Sequence, residues 1–231
     1  MIPIMLTASI NPNAIYTEHR DIKKRKKEYI NSINYYKKFS KVYFLENSGF
    51  DFSYDNEFPK DENIIYLSIY NRSDNDWIRG KGYQEFRMID EFVNRYLKED
   101  SFIKISGRYI FKNFKKLYEE MKTQNRIDNN IIIIDLYKKK RCNTQIFFIS
   151  KKKYLINLYG CYNDMDDSKN KWAEHIIFRR LILSESYRRF NIMPLTEVIS
   201  GSTGLLYKNN IIKIFLSNLM RFMSKSKKVI I

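Results

Sequence analysis

The chain has 231 residues and a formal net charge of +16 at pH 7, with 44% hydrophobic residues and a mean hydropathy of −0.51. This composition excludes a disordered chain and a membrane-embedded one, and the length suits one α/β domain with a small appendage. The two cysteines and two histidines are too few for a disulfide framework or a histidine-based metal site.

The positive charge favours polyanionic partners: nucleic acid, anionic lipid headgroups or phosphate-bearing substrates. The excess is mostly lysine, and asparagine, isoleucine, tyrosine and phenylalanine are abundant beside it, which an A+T-rich genome would produce on its own. The charge is therefore only weak support for any one partner.

Short apolar runs alternate with amphipathic segments through the first half of the chain. The pattern predicts strands over 2–9, 41–45, 63–69 and 101–106, and helices over 21–39 and 83–97. The order strand, helix, strand, strand, helix, strand predicts an α/β fold with a mostly parallel central sheet flanked by helices.

The second half of the chain continues the alternation. It predicts helices over 112–125, 172–183 and 209–228, strands over 130–135, 144–149 and 153–158, and loops over 164–167 and 194–204. We expect one domain over residues 1–207, with a nucleotide-binding half over 1–110 and an acceptor-binding half over 111–207. A basic amphipathic segment over 208–231 follows it.

Polar residues cluster where the predicted strands end, and ligands of open α/β sheets bind at that edge. The candidate binding residues at these ends and in the glycine-containing stretch are Thr7, Ala8, Glu46, Asn47, Ser48, Gly49, Gly80, Gly82, Glu85, Ser106, Gly107 and Tyr109.

Four cations accompany the glycine-containing stretch, and the sequence predicts that they grip a diphosphate. Gly80 permits a positive φ or a close backbone approach, and a helix N-terminus after it would direct N–H groups at an anion. The cations are Arg79, Lys81, Lys104 and Arg108. In the alternative interpretation the glycines only turn the chain and Lys81 is only solvated.

The runs 2–8 and 42–49 resemble the first two strands of nucleotide-sugar glycosyltransferases with the GT-A fold, and 82–97 resembles the helix before their metal-binding strand. The stretches 80–85 and 104–109 resemble small bacterial glycosyltransferases that build capsule, O-antigen or lipooligosaccharide. This resemblance spans about residues 1–207, which is most of the chain. It implies transfer of a sugar from a nucleotide sugar, a UDP-sugar first, to a hydroxyl of a glycan acceptor that is carried on a lipid.

The chain departs from that family at its metal site. Enzymes of this kind place Asp-x-Asp after the strand, whereas this chain has Lys104, Ser106, Gly107 and Arg108 there. Lys104 and Arg108 are expected to neutralise the diphosphate in place of a metal. If Mg²⁺ or Mn²⁺ binds, the fallback ligands are Asp74, Asp76, Asp164 and Asp166.

The resemblance also implies an acidic residue at the start of a late helix, which takes the proton of the acceptor hydroxyl. Glu174 matches that place, Asp167 is the second candidate, and His175 is expected to orient Glu174 or bind the acceptor. A separate base of this kind favours inversion at the anomeric carbon. In the alternative interpretation Glu174 only stabilises the helix dipole.

The C-terminal segment is apolar and basic in helical alternation, which is typical of a helix lying in a membrane interface. We therefore expect a cytoplasmic protein at the anionic inner face of the cytoplasmic membrane. A helix packed on the domain, with its lysines in water, is an equal alternative.

A basic RNA-binding or RNA-modifying protein is the competing function, and the charge and abundant aromatic residues favour it. The sequence shows no RNA-recognition signature, zinc spacing or helix-turn-helix signal, so no nucleic-acid partner is expected. It also lacks the Gly-x-x-x-x-Gly-Lys-Ser/Thr string of P-loop enzymes.

Overall fold

The structure is a computed structural model and describes residues 1–52, 54–69, 76–137, 139–184, 187–201, 203–208 and 210–224. A seven-stranded sheet is its centre, with the order β3-β2-β1-β4-β8-β5-β9. Its strands are β1 (Ile4–Ala8), β2 (Val42–Glu46), β3 (Ile64–Ser68), β4 (Ser101–Ser106), β5 (Ile132–Ile133), β8 (Ile146–Ser150) and β9 (Tyr187–Arg188).

Two short hairpins lie outside this sheet. They pair β6 (Leu136–Tyr137) with β7 (Arg141–Cys142) and β10 (Glu197–Ile199) with β11 (Leu206–Lys208). The helices are α1 (Ile22–Tyr36), α2 (Asp76–Arg95), α3 (Phe114–Ile127), α4 (Lys151–Asn157), α5 (Ala173–Ser184) and α6 (Ile211–Ser224).

Parallel pairing dominates the sheet, which confirms the predicted fold class. The strands β3, β2, β1 and β4 are parallel, while β8 runs antiparallel to both β4 and β5. The register pairs Thr7 with Ser106 and Ala8 with Glu46, so the polar ends of three strands meet at one edge.

Alternation along the buried strands divides the core into two layers. Met5 of β1 packs with one cluster, on the side of α2 and α5, whereas Ile4 and Leu6 pack with the other, on the side of α1 and α3. Because successive strand side chains point to opposite faces, a strand buried on both sides is apolar throughout, as β1 is.

The glycine-containing stretch is helical where a loop was predicted. Helix α2 begins at Asp76, and Gly80 interrupts it with φ 91° and ψ −174°. The chain then resumes a helical path at Lys81. Residues 70–75, which precede this helix, lie outside the described residues.

The predicted strand over 153–158 is wrong, because this segment is helix α4. Ser150 caps the helix by accepting the Lys153 N–H at 3.3 Å, and Tyr154 and Leu158, one helical turn apart, are both buried. The apolar run is too short for its period to distinguish a strand from a helix.

Helix α6 contacts the domain through polar side chains and exposes its apolar face. Arg221 is 5% exposed and forms a bidentate pair with Asp135 at 2.7 and 2.8 Å, and Asn218 accepts the Met193 N–H. The exposed apolar side chains are Ile212, Phe215, Leu216, Leu219, Met220 and Phe222. Helix α6 is therefore packed on the domain, as the alternative predicts, while its exposed apolar face leaves the interfacial prediction standing. Lys225, Lys227 and Lys228 lie outside the described residues.

Candidate functional site

A cleft of about 520 Å³ opens at the carboxyl ends of β1 and β4, between these strands and the N-terminal parts of α2 and α5. Twelve of the candidate residues line this one cleft: Thr7, Ala8, Asn47, Lys81, Gly82, Glu85, Ser106, Gly107, Arg108, Tyr109, Asp167 and Glu174. Residues from distant parts of the sequence thus meet at the edge that the fold class predicts.

One wall of the cleft carries two guanidinium groups. Arg108 is buried, and its Nη1 donates to Glu28 Oε2 at 2.8 Å and to the Ile199 carbonyl at 3.2 Å. Arg25 of α1 donates to the carbonyl oxygen of Ser9 through Nε at 2.9 Å, which fixes the loop after β1. Two planar cations on one wall favour binding of an anion with several oxygens.

The same cleft lining also carries two carboxylates, Asp167 and Glu174. Burial raises the pKa of Asp167 to about 6. Glu174 lies in the first turn of α5 and is partly exposed. A carboxylate with a pKa close to neutrality is suited to exchange a proton with a bound hydroxyl.

Asp167 also occupies the helix N-terminus that was predicted to bind a ligand anion. The Lys81 N–H donates to Asp167 Oδ2 at 3.2 Å, and a Cβ placed on Gly80 would lie 2.0 Å from the same oxygen. Gly80 is therefore required both by its positive φ and by this contact. The protein's own carboxylate satisfies the helix end, so the anion interpretation of this glycine is corrected.

Lys81 also lines the cleft and interacts electrostatically with Asp167 and Glu174 and with the guanidinium groups of Arg108 and Arg25. Its Nζ donates to the Tyr16 carbonyl at 2.8 Å. Burial lowers the pKa of Lys81, against the attraction of Asp167 and Glu174, and the charges of Arg108 and Arg25 lower it further. This ammonium therefore balances the two carboxylates inside the cleft.

Lys104 does not reach the cleft, which corrects its predicted role as a diphosphate clamp. Its side chain is 0% exposed, and Nζ lies 2.7 Å from Glu85 Oε1 and donates to the Thr144 carbonyl at 2.6 Å. Thr7 donates to the same Glu85 oxygen at 2.5 Å. Lys104 thus holds Glu85 in place at the floor of the cleft.

We expect Lys104→Met to lower the free energy of unfolding by about 3 kcal/mol, because it leaves the Glu85 carboxylate without its buried cation. Denaturant unfolding measures this loss. The matched control is Lys112→Met, which removes an exposed pair with Glu197 and should change stability by less than about 1 kcal/mol. An unchanged midpoint for Lys104→Met, with nucleotide binding lost, would restore the clamp interpretation.

Arg79 and Glu46 also lie away from the cleft. Arg79 donates to the carbonyls of Met165 and Asn163, and its guanidinium carbon lies 3.9 Å from the centroid of the Tyr83 ring. Glu46 is 0% exposed, and burial raises its pKa although it accepts backbone N–H groups. Both side chains order loops.

Four further candidate residues are absent from the cleft lining: Ser48, Gly49, Gly80 and His175. The Ser48 hydroxyl bonds the buried Glu46 carboxylate, and Gly49 turns the chain with φ 76°. Both belong to the loop after β2 and place Asn47, which does line the cleft.

The fallback metal ligands are not gathered. Asp76 pairs with Arg87 at 2.5 Å, Asp164 pairs with Arg180 at 2.8 Å, and Asp166 is held by Lys169 and by Ser168. Asp74 lies outside the described residues. Within the described part of the chain, no three histidine, cysteine, aspartate or glutamate residues come together as metal ligands. These side chains do not fit the oxygen-rich set that Mg²⁺ or Mn²⁺ requires.

The cleft includes side chains that sequence reasoning did not select. They are Tyr16, Arg25, Tyr29, Gln84, Gln145 and Trp172. Arg25 belongs to a lysine-rich amphipathic helix, where nothing distinguishes it from its solvated neighbours. Trp172 had a weak signal, because it precedes Glu174 by two positions.

No protein-family model matches the chain, and a comparison with curated proteins finds no match. Among solved structures, CMP:2-keto-3-deoxy-manno-octonic acid synthetase complexed with CTP aligns at TM-score 0.49 and 11% identity over 97% of this chain and 99% of that chain. Galactosyltransferase LgtC, in complex with donor and acceptor sugar analogues, aligns at TM-score 0.48 and 9% identity over 81% and 73%.

The glycosyltransferase GlyE of Streptococcus pneumoniae aligns at TM-score 0.47 and 10% identity over 82% of this chain and 45% of that chain. This chain therefore spans less than half of the length of GlyE. These identities and TM-scores assign neither a family nor an activity to this chain. The fold and the cleft define an α/β protein with one cleft lined by guanidinium groups and carboxylates.

Proposed function

We propose that this protein is a glycosyltransferase that moves a sugar from a nucleotide-sugar donor to a hydroxyl of a glycan acceptor. The observation that carries the proposal is that guanidinium groups and carboxylates line one cleft. A transfer that inverts the sugar uses a cation to neutralise the released diphosphate and a carboxylate to take the hydroxyl proton. We propose that the two sets lie on opposite sides of the transferred sugar, as a guanidinium wall and a carboxylate wall.

The donor diphosphate binds on the wall of Arg108 and Arg25 in this proposal. Gly107 lies beside it and cannot be replaced without a clash, because a Cβ there would be 2.7 Å from the Thr7 carbonyl. The glycine lets the turn after β4 pack against the end of β1, where the Gly107 N–H donates to the Thr7 carbonyl at 2.8 Å. Arg108 neutralises the charge that develops as the bond from the anomeric carbon to the diphosphate breaks.

The acceptor hydroxyl binds at the facing wall. Glu174 removes its proton as the hydroxyl oxygen forms the bond to the anomeric carbon, and the diphosphate leaves with the electron pair of the broken bond. Asp167 is the second candidate for this base. Attack from the wall opposite the leaving group inverts the anomeric configuration, which is the outcome we propose.

No step in this proposal passes through a metal, because no three of the described histidine, cysteine, aspartate and glutamate side chains are gathered as ligands. The donor nucleotide is a UDP-sugar as the first choice. The acceptor is a lipid-linked glycan of bacterial surface polysaccharide synthesis, which agrees with a basic protein that exposes an apolar helix face.

The membrane part of the proposal depends on α6. None of the described helices is long and apolar enough to cross a bilayer. The exposed apolar face of α6 is followed in the sequence by Lys225, Lys227 and Lys228. An apolar face beside a basic cluster matches the cytoplasmic leaflet, where each basic residue contributes about 1 kcal/mol.

We expect Phe215→Ser with Phe222→Ser to weaken binding to phosphatidylserine-containing vesicles at least about tenfold, since two phenyl groups leave the interface. Vesicle sedimentation measures the partition coefficient. Ile127→Ser, which replaces another exposed apolar residue at the end of α3, is the control and should change nothing. If the double variant bound vesicles as tightly as the Ile127→Ser control, the membrane assignment would be contradicted. It would also be contradicted if size-exclusion chromatography showed that the double substitution instead breaks a dimer formed by the unsubstituted protein.

The function itself is tested by calorimetric binding of UDP-, GDP-, CMP- and dTDP-sugars with and without EDTA. A selective signal that survives EDTA supports the transferase without a metal. A signal that EDTA removes keeps the transferase and assigns it a metal. Absence of any nucleotide-sugar binding, together with salt-sensitive RNA binding, rejects the proposal in favour of the nucleic-acid alternative.

A further inference from the structure

Two aromatic rings form a corner at the rim of the cleft. The centroids of Tyr16 and Trp172 are 5.9 Å apart, and the ring planes meet at 56°. Tyr16 is 55% exposed, and both side chains line the cleft. Large aromatic rings stabilise a fold most when they are buried. Because the Tyr16 ring is largely exposed, its face is available to contact a ligand.

The backbone of Tyr16 holds an unfavourable conformation at this corner. Its φ of 55° lies in the left-handed region, which non-glycine residues seldom adopt. The Tyr16 carbonyl accepts a hydrogen bond from Lys81 Nζ at 2.8 Å. The cleft lysine thus holds the loop in a form that presents the ring to the opening.

Trp172 is fixed next to the carboxylate wall. Ala173 follows it and packs so closely on α2 that a Cβ on Gly82 would lie 2.8 Å from the Ala173 Cβ. Glu174 comes next, in the first turn of α5. Trp172 directly precedes α5, and its carbonyl accepts the Ile176 N–H at 3.2 Å, so the helix start holds Trp172 close to Glu174. Both residues line the cleft.

The chemistry of this corner suits a sugar ring. A pyranose presents weakly positive C–H groups on its face and hydroxyl groups around its edge. The faces of aromatic rings carry negative charge and attract C–H groups, and carboxylates accept hydrogen bonds from hydroxyls. A neutral ligand suits this corner, because the charge of Lys81, which bonds the Tyr16 carbonyl, is already balanced by Asp167 and Glu174.

We propose that Tyr16 and Trp172 form the acceptor subsite and bind a neutral hexopyranose, with Glu174 beside its reacting hydroxyl. This inference rests on the proposed transferase function and specifies its acceptor. The acceptor subsite is then distinct from the donor site. Different ligands and different substitutions can therefore test the two sites separately.

The test uses Trp172 as its own reporter. The chain has two tryptophans, and Trp77→Phe leaves Trp172 alone. Its emission is recorded during titration with methyl glucoside, methyl galactoside, methyl mannoside, lactose and maltose, and separately with uridine, cytidine and guanosine. We expect a saturable change with at least one glycoside and none with the nucleosides.

Tyr16→Ala in the same background is expected to weaken glycoside binding about tenfold, whereas Tyr16→Phe keeps it, because the ring and not the hydroxyl makes the contact. Tyr54→Ala, at another exposed tyrosine, is the control. Nucleotide-sugar binding by calorimetry should not change in Tyr16→Ala.

The inference is overturned if no glycoside changes the emission, if only nucleosides do, or if Tyr16→Ala binds glycosides normally. If the unsubstituted protein binds no nucleotide sugar, the transferase proposal is rejected instead. A glycoside response that persisted in that case would leave the corner as a carbohydrate-binding site without transfer.

Discussion

Arg108→Ala is expected to lower the affinity for the nucleotide-sugar donor about 100-fold. Arg108 lines the cleft from a buried position, with its Nη1 held by Glu28 and the Ile199 carbonyl. Two charge-assisted hydrogen bonds to a diphosphate, at about 1.5 kcal/mol each, would be lost together. The affinity change follows from about 3 kcal/mol of binding free energy.

Calorimetry with the donor that the nucleotide-sugar panel identifies measures this change. Arg108→Lys should recover part of the affinity, because the charge remains while the bidentate fork is lost. Arg95→Ala, at an exposed arginine near the C-terminal end of α2, is the control and should bind normally. Since Arg108 also pairs with Glu28, thermal unfolding of each variant checks that the fold persists. A folded Arg108→Ala protein with unchanged donor affinity would show that the diphosphate binds elsewhere.

Glu174→Gln is expected to lower kcat about 1,000-fold while donor affinity stays the same, since the amide cannot take the acceptor proton. Release of nucleoside diphosphate from the donor, with an extract of membrane glycolipids as acceptor, measures turnover. His175→Ala, one residue further along α5 and outside the cleft lining, is the matched control and should retain most activity. Normal turnover in Glu174→Gln would transfer the role of base to Asp167.

The pH dependence distinguishes the two carboxylates. Burial raises the pKa of Asp167 to about 6, so an enzyme that used it as base would lose kcat/KM as the pH falls below about 6. Its folded-state pKa lies above the ordinary value of 3.8, so its contribution to stability is complete below that value and is lost as the pH rises through about 6. Asp167→Asn should therefore remove a decline in the free energy of unfolding between these pH values, which denaturant titrations measure.

Periodicity in the sequence was sufficient for most of the fold. The apolar run of β1 and the helical spacing of Phe86, Ile89 and Phe92 each indicate one kind of element, because burial on both faces and burial of one stripe leave different patterns. The alternation of these elements then predicts a parallel sheet and places the binding edge at its carboxyl ends. Segment 153–158 was predicted wrongly, since six residues with a buried tyrosine fit the period of a strand as well as that of a helix.

In contrast, the positive charge of a residue did not indicate whether its side chain lines the cleft. Lys104 and Arg108 are four residues apart and both basic, yet the first is enclosed with Glu85 while the second lines the cleft. Their orientations follow from the pleat of β4 and from the turn after it, together with the partners that each side chain meets. Arg25 and Arg221 were likewise indistinguishable from solvated cations until the fold placed them against carbonyls and a carboxylate.

The sequence by itself determined the class of fold and the sheet edge at which the cleft opens, and it selected twelve of the residues that line the cleft, because local periodicity and strand ends are encoded over short stretches. Only the tertiary structure decided that Asp167 caps the helix after Gly80, that Lys104 is enclosed, and that α6 exposes its apolar face. Those outcomes depend on contacts between residues about 40 to 90 positions apart, such as Asp167 with Lys81 and Arg221 with Asp135. Such contacts are set by packing, which the local pattern of a sequence does not record.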